Sequence, residues 1–302
     1  MKKHLTLLTA FFTAISVFAQ TNNSFVRDNY QKYEHRIPMR DGTKLFTIVY
    51  VPKDASAGNR YPMVMQRTCY SVAPYGPDKY AERIGPSPVM MREKYIFVYQ
   101  DVRGRYMSEG TWTNMTPHVP KKNPAKDKAV DEAADTYDTI EWLLKNVPTH
   151  NGRVGQWGIS YPGFYTVAGT LCGHPALKAS APQAPVADFF FDDFHHNGAF
   201  TLEYFLTYPL FGIQHPQPTS EDWWASRMVA RPGTRDGYDF YLKLGPLKNG
   251  NQYYADNFFW QETVNHPNYD AFWQKRNILQ HLKDVKPAVL TVGGWFDAED
   301  LY

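Results

Sequence analysis

The chain is poor in several features that would narrow its function. Its 302 residues contain two cysteines, Cys69 and Cys172, so no disulfide framework organises it. No sign of charge dominates. The 32 Lys and Arg face 30 Asp and Glu, for a formal net charge of +2, which removes the electrostatic reason to expect a nucleic-acid partner. Beyond the first twenty residues there is no long apolar run, and mean hydropathy is −0.51, which excludes a polytopic membrane protein. His195-His196 and Asp192-Asp193 supply metal-ligand types, but no histidine pair has zinc-site spacing. No metal or other cofactor is expected. Internal repeats and low-complexity tracts are missing too. Aromatic residues, by contrast, are plentiful: 21 Tyr, 19 Phe and 8 Trp are too many for a chain that stays solvated. The length suffices for a sizeable core.

At the start, Lys2 and Lys3 precede an apolar stretch over residues 5–18, with small Val17 and Ala19 spaced for cleavage before Gln20. Residues 1–19 read as a secretory signal, and the mature protein is expected to be exported, periplasmic or secreted. The alternative is an uncleaved anchor, but the run is short of the roughly 20 residues a span needs. Residues 21–33 are polar and read as a mobile lead-in. Residues 36–40 and 44–51 then read as strands around an Asp41-Gly42 turn. Residues 62–67 and 95–102 suit buried strands. Val130, Ala133, Ala134, Tyr137, Ile140, Leu143 and Leu144 recur at helical spacing and predict a helix over 127–146. A strand over 153–159, a helix over 161–171 and a strand over 178–184 follow. This alternation indicates an α/β fold with a mostly parallel sheet. The aromatic-rich stretch 189–284 reads as an insertion of helices and loops, and 287–293 restores a buried-strand pattern. The expected organisation is signal 1–19, core 20–188, insertion 189–284 and core return 285–302.

The sharpest motif is Trp157-Gly158-Ile159-Ser160-Tyr161-Pro162-Gly163-Phe164. A strand running into Ser160 and a helix running out is the setting of a nucleophile elbow, where a tight turn lifts a serine hydroxyl above the sheet. The second glycine falls three residues after Ser160 rather than two. The alternative is an ordinary turn with a helix-capping serine. A second motif is Gly293-Gly294-Trp295-Phe296-Asp297-Ala298-Glu299-Asp300. A carboxylate just past a late core strand is where an α/β-hydrolase places the acid that orients its histidine. The chain order Ser…Asp…His calls for a histidine after Asp297, whereas the last of the ten is His281.

Together these motifs resemble the X-Pro dipeptidyl-peptidase/cocaine esterase-like serine hydrolases. The resemblance covers about residues 35–302 and rests on Gly158-x-Ser160-Tyr161-x-Gly163, on Gln100-Asp101-Val102-Arg103-Gly104-Arg105-Tyr106 with Ser108-Glu109-Gly110, and on Arg67-Thr68-Cys69-Tyr70. Within that group the α-amino-acid ester hydrolases are closest, since Glu299 and Asp300 follow Asp297 at their spacing and Asp192-Asp193-Phe194-His195-His196 fits their acidic segment. The resemblance implies an α/β-hydrolase core with a helical cap inserted over the pocket. Ser160 would be the nucleophile, the Tyr161 N–H and the Tyr70 hydroxyl the oxyanion hole, and Asp297 the orienting acid. Asp193, Glu299 and Asp300 would hold a substrate's α-ammonium group, where opposite charge offsets desolvation.

The expected activity is hydrolysis of esters or amides of α-amino acids through an acyl-enzyme, with acyl transfer to β-lactam amines as an extension. Small-molecule or short-peptide substrates would be the partners, and the reading leaves room for a homo-oligomer. Without the triad histidine and the family's C-terminal jelly-roll domain, the chain reads as an inactive fragment. The alternatives are an X-Pro dipeptidyl-peptidase or other acylase, and a non-catalytic ligand-binding relative. Simpler readings remain for single residues: Asp192-Asp193 as a helix cap, Glu299-Asp300 as a solvated helix start, Tyr70 as a core tyrosine. Arg103 and Arg105 read as structural, His195 and His196 as packing groups. The implied geometry keeps Cys69 and Cys172 apart as buried thiols.

Overall fold

The computed structural model describes residues 25–121, 123–222, 234 and 236–295. A short helix α1 (Phe25–Asn29) leads into a hairpin of β1 (Tyr30–Pro38) and β2 (Lys44–Pro52), paired antiparallel around the Asp41-Gly42 turn. Next come β3 (Tyr61–Thr68), α2 (Pro88–Arg92), β4 (Ile96–Asp101), α3 (Glu132–Asn146), β5 (His150–Ile159), α4 (Tyr161–Thr170) and β6 (Leu177–Gln183). After β6 the chain leaves the sheet through a π-helical turn (Phe190–Phe194) and a small ribbon, β7 (His195–His196) with β8 (Ala199–Phe200). Short helices follow: α5 (Tyr208–Phe211), α6 (Gly237–Leu244), α7 (Asn251–Tyr254), α8 (Phe258–Asn265) and α9 (Ala271–Gln274). The chain returns to the sheet as β9 (Ala288–Val289).

The described strands build one seven-stranded sheet in the order β1-β2-β4-β3-β5-β6-β9. Only its β1–β2 and β2–β4 pairs are antiparallel. This is the mostly parallel α/β sheet that the alternation implied, arranged as the α/β-hydrolase-like core that the resemblance implied. Its inner strands are apolar on both faces, as Met63, Val64 and Met65 of β3 and Ile96, Phe97 and Val98 of β4 show, because crossover helices cover them. Helix α3 packs Ala133, Ile140 and Leu143 into the same cluster as Met63 and Met65. Gln156 ties β5 to its neighbours from the interior: its Nε2 donates to Thr166 O of α4 and Ser180 Oγ of β6, both at 2.9 Å. Cys69 and Cys172 are free and buried, and desolvation pushes their thiols up to about 12 and about 11.

Two expectations about elements need correcting. Residues 21–33 are not a mobile lead-in where they are described, since α1 and β1 occupy 25–33 and bury Val26 and Tyr30. Polarity misleads there because Lys32 is itself buried: its Nζ donates to the carbonyls of Pro74, Gly76 and Lys79 at 2.6–2.9 Å and pairs with Glu34 at 2.8 Å. Helix α3 starts at Glu132 rather than 127, because Asp131 Oδ1 accepts the Ala134 N–H and caps it. The signal segment 1–19 lies outside the described residues, and among those described no helix is long and apolar enough to cross a membrane.

Candidate active site

Strands β4, β3, β5 and β6 run parallel as neighbours, so their carboxyl ends share one edge of the sheet. In open α/β sheets ligands bind beyond that edge. Ser160 stands there between β5 and α4 with φ 61° and ψ −124°, a conformation rare for a residue with a side chain. Such strain costs on the order of 1–3 kcal/mol and persists where its surroundings enforce it. They do so here. The Ser160 N–H donates to Gln183 O of β6 at 3.0 Å, and the Ser160 carbonyl accepts the Phe164 N–H at 3.1 Å. The Ser160 side chain does not cap α4, which sets aside the capping-serine alternative.

Two glycines make the turn possible by close approach. A Cβ on Gly158 would stand 2.1 Å from Pro162 O, and one on Gly163 would stand 2.8 Å from Pro185 Cα and 2.9 Å from Gln183 O. The second glycine is thus fixed by contact with the chain after β6, which is why it comes third after Ser160. Pro162 fits in the first turn of α4, where its missing N–H has no intrahelical acceptor to lose.

Tyr161 is the first residue of α4, so its N–H has no intrahelical partner and stands at the helix's positive end. Its ring is buried. The hydroxyl donates to Asn114 Oδ1 at 3.1 Å and accepts the Met115 N–H at 2.8 Å, and burial pushes the phenol pKa well up. Tyr70 follows β3 and meets Tyr161 edge-on, ring centroids 6.4 Å apart. It is 37% exposed, which rules out the plain core tyrosine. The structure therefore brings Ser160, Tyr161 and Tyr70 to one place.

The acidic segment divides its roles. Asp192 Oδ2 accepts the N–H groups of Ala187 and Asp188 at 2.7 and 2.8 Å, tying the turn after β6, and burial pushes its carboxyl up to about 6. Asp193 is buried within the π-helical turn. His195 is buried and stacked on Phe190 at 4.0 Å, and desolvation lowers its pKa to about 4, so it is a neutral packing group. Arg103 pairs with Asp41 and Asp135, both at 2.7 Å. Arg105 is buried, with Nε donating to Cys69 O at 3.1 Å and its guanidinium 4.2 Å from the Trp112 ring. Both arginines hold loops, as the sequence suggested. Asp297, Glu299 and Asp300 lie outside the described residues. The chain leading to them reaches the same edge, since Val292 N donates to Pro182 O at 3.1 Å and Val292 O accepts Ala184 N at 2.8 Å.

Sequence reasoning gave no role to Asp101 or Asn114. Asp101 ends β4, is fully buried, and accepts hydrogen bonds from Val72 N at 3.0 Å, Tyr75 Oη at 3.0 Å and Met107 N at 3.3 Å. Desolvation pushes its carboxyl up to about 7. The signal was present: an acid at the carboxyl end of an inner parallel strand. Asn114, also buried, joins Tyr161 to the insertion, donating to Phe211 O at 2.6 Å and accepting Arg276 Nε on its own carbonyl at 3.2 Å. An apolar groove of about 600 Å³ over the sheet, lined by residues such as Met90, Tyr95, Trp157 and Leu290, includes none of the site residues. Among the described residues no three His, Cys, Asp or Glu side chains come together to hold a metal ion.

The sequence pattern of the X-Pro dipeptidyl-peptidase (S15) family matches residues 41–301. A cocaine esterase from Rhodococcus sp. is 28% identical over 279 residues, 86% of this chain and 43% of that protein. Among solved structures, an aminopeptidase from a marine sediment Thaumarchaeota archaeon is 36% identical with a TM-score of 0.74, over 91% of this chain and 44% of that one. An α-amino acid ester hydrolase is 33% identical with a TM-score of 0.72, over 87% of this chain and 42% of that one. The chain spans less than half the length of these relatives.

Proposed function

Because the chain belongs to the X-Pro dipeptidyl-peptidase (S15) family and its relatives make it a hydrolase of the esterase or peptidase type, we propose that it hydrolyses esters or amides of α-amino acids through an acyl-enzyme on Ser160. The observation that carries this reading is the positive-φ backbone of Ser160 at the junction of β5 and α4, enforced by Gly158 and Gly163. Ser160 Oγ attacks the acyl carbonyl and passes its proton to a base, which returns it to the leaving alcohol or amine; water then releases the acid. The order Ser…Asp…His assigns that base to a histidine following Asp297, which residues 1–302 do not include. The Tyr161 N–H and the Tyr70 hydroxyl receive the oxyanion, and losing one such donor typically costs roughly 3–4 kcal/mol.

Asp193, Glu299 and Asp300 bind the substrate's α-ammonium group. The names of the two solved relatives, an aminopeptidase and an α-amino acid ester hydrolase, support that substrate class. The lysine start and apolar stretch of residues 1–19 support export to the periplasm or beyond.

The test uses the protein expressed from its whole gene. Ser160→Ala should abolish both ester hydrolysis and labelling by a fluorophosphonate. Glu299→Gln should lose α-amino esters while still turning over a neutral p-nitrophenyl ester, and equal loss on both would sink the ammonium-binding role. The family description favours a second reading, a dipeptidyl-peptidase on X-Pro units. Faster release from an X-Pro anilide than from a single amino-acid anilide would select it.

A further inference from the structure

We infer that Asp101 is a positioning residue for the reaction: its buried carboxylate pins the loop that presents Tyr70 to the acyl oxygen. The inference rests on the serine-hydrolase reading above. The loop after β3 has little regular structure to hold it, and Ser71 sits at φ 84°. It is fixed instead by side chains. Thr68 Oγ1 accepts the Tyr70 N–H at 2.9 Å, and Arg105 Nε donates to Cys69 O at 3.1 Å, both directly beside Tyr70. Asp101 then holds the next stretch twice, through Val72 N on Oδ1 and Tyr75 Oη on Oδ2. The Tyr75 hydroxyl also meets Ser71 Oγ at 2.9 Å, so the clamp closes around the strained residue next to Tyr70.

The same carboxylate receives Met107 N at 3.3 Å, and the Asp101 carbonyl accepts the Ser108 hydroxyl at 2.6 Å, which anchors the clamp in the turn after β4. Three donors converge on two carboxylate oxygens, an arrangement an amide cannot reproduce because one of its two polar ends donates. A carboxylate is also a costly group to bury. Its position at the root of the Tyr70 loop gives that cost a purpose: an oxyanion donor must be held within about 0.5 Å of its working place.

The experiment is a double-mutant cycle on an amino-acid p-nitrophenyl ester, again with the protein from its whole gene. Tyr70→Phe should lower kcat about 10²-fold, the typical loss for one oxyanion donor. Asp101→Asn should lower kcat by about 10- to 100-fold with little change in KM, because a misplaced donor affects the transition state more than binding. In the Tyr70→Phe background, Asp101→Asn should cost almost nothing further, since its effect passes through Tyr70. Tyr75→Phe keeps the carboxylate and removes one pin. It should show a smaller loss that is likewise silent without the Tyr70 hydroxyl, and it decides the question if Asp101→Asn does not fold.

Losses that multiply in the double variant, a change confined to KM, or an unchanged kcat would each overturn the inference while leaving the hydrolase reading intact. Full activity in Ser160→Ala would remove that reading, and the inference with it.

Discussion

The two regions that meet at Ser160 are held together in opposite ways. On the sheet side, directional polar contacts tie the apolar strands to the helix and loops around them. Arg67 of β3 pairs with Glu132 at 2.9 Å, lies 3.7 Å from Asp135, and donates to Gln100 Oε1 at 2.8 Å, while Arg103 bridges Asp135 and Asp41. On the insertion side the centre is a set of rings. Phe259 stacks on Phe189 at 5.5 Å and meets Phe194 and Tyr208 edge-on or tilted, and Tyr161 itself packs on Phe189 and Phe211. Hydrogen-bonded charges fix angles, whereas apolar rings fix volume and tolerate adjustment. The two groups that the proposed reaction needs aimed, Ser160 and Tyr70, spring from the sheet side.

The largest expected effect falls on the polar side. Arg67→Ala takes from Glu132 its charge partner and leaves Asp135 to Arg103 alone; burial already holds both carboxyls above the ordinary range, and the change should cost about 3–5 kcal/mol in urea unfolding. A loss below that of any single ring truncation would break the contrast.

Acid should act on the aromatic side through His195. Its folded pKa, lowered to about 4 by desolvation, lies below the unfolded value of about 6.5. The ring stays neutral in the folded chain while the unfolded chain takes up a proton. Its stabilising share is therefore intact above pH 6.5 and is lost as pH falls to 4, by up to about 3 kcal/mol. The stability difference between wild type and His195→Phe, measured across that window, isolates the effect. A constant difference would contradict it.

Next in size, Phe259→Leu should cost about 1–2 kcal/mol, because neighbouring rings can shift to fill part of the space. Differential scanning calorimetry would check it. Least of all, Cys69 and Cys172 should not react with a thiol reagent until the chain unfolds, because both are buried and their thiolates disfavoured. Rapid labelling of the folded protein would show that one of the two regions opens.

The same contrast separates what was legible in the sequence from what was not. Strand and helix alternation could be read because β3, β4 and α3 carry runs or faces of apolar residues. The elbow could be read because a sharp turn needs small residues close to Ser160. Tyr30 and Lys32 escaped notice because a lysine buried among three carbonyls looks like a solvated one until the tertiary partners are known. Asp101 stands within a legible motif but its task does not show in the sequence, because its partners, Val72, Tyr75 and Met107, come from two loops that the sheet brings together. The ring cluster could be counted but not arranged, since apolar packing leaves no fixed spacing in the chain.

The hydrogen bond from Ser160 N to Gln183 O makes β6 a gauge for the height of Ser160. One residue added to or removed from β6 would move its later carbonyls by about 3.3 Å and reverse its faces, taking the acceptor away from the elbow. The same change in the turn over residues 171–176, before β6 begins, leaves the gauge untouched. Length variation in this part of the chain should accumulate in that turn and be barred from the seven residues of β6.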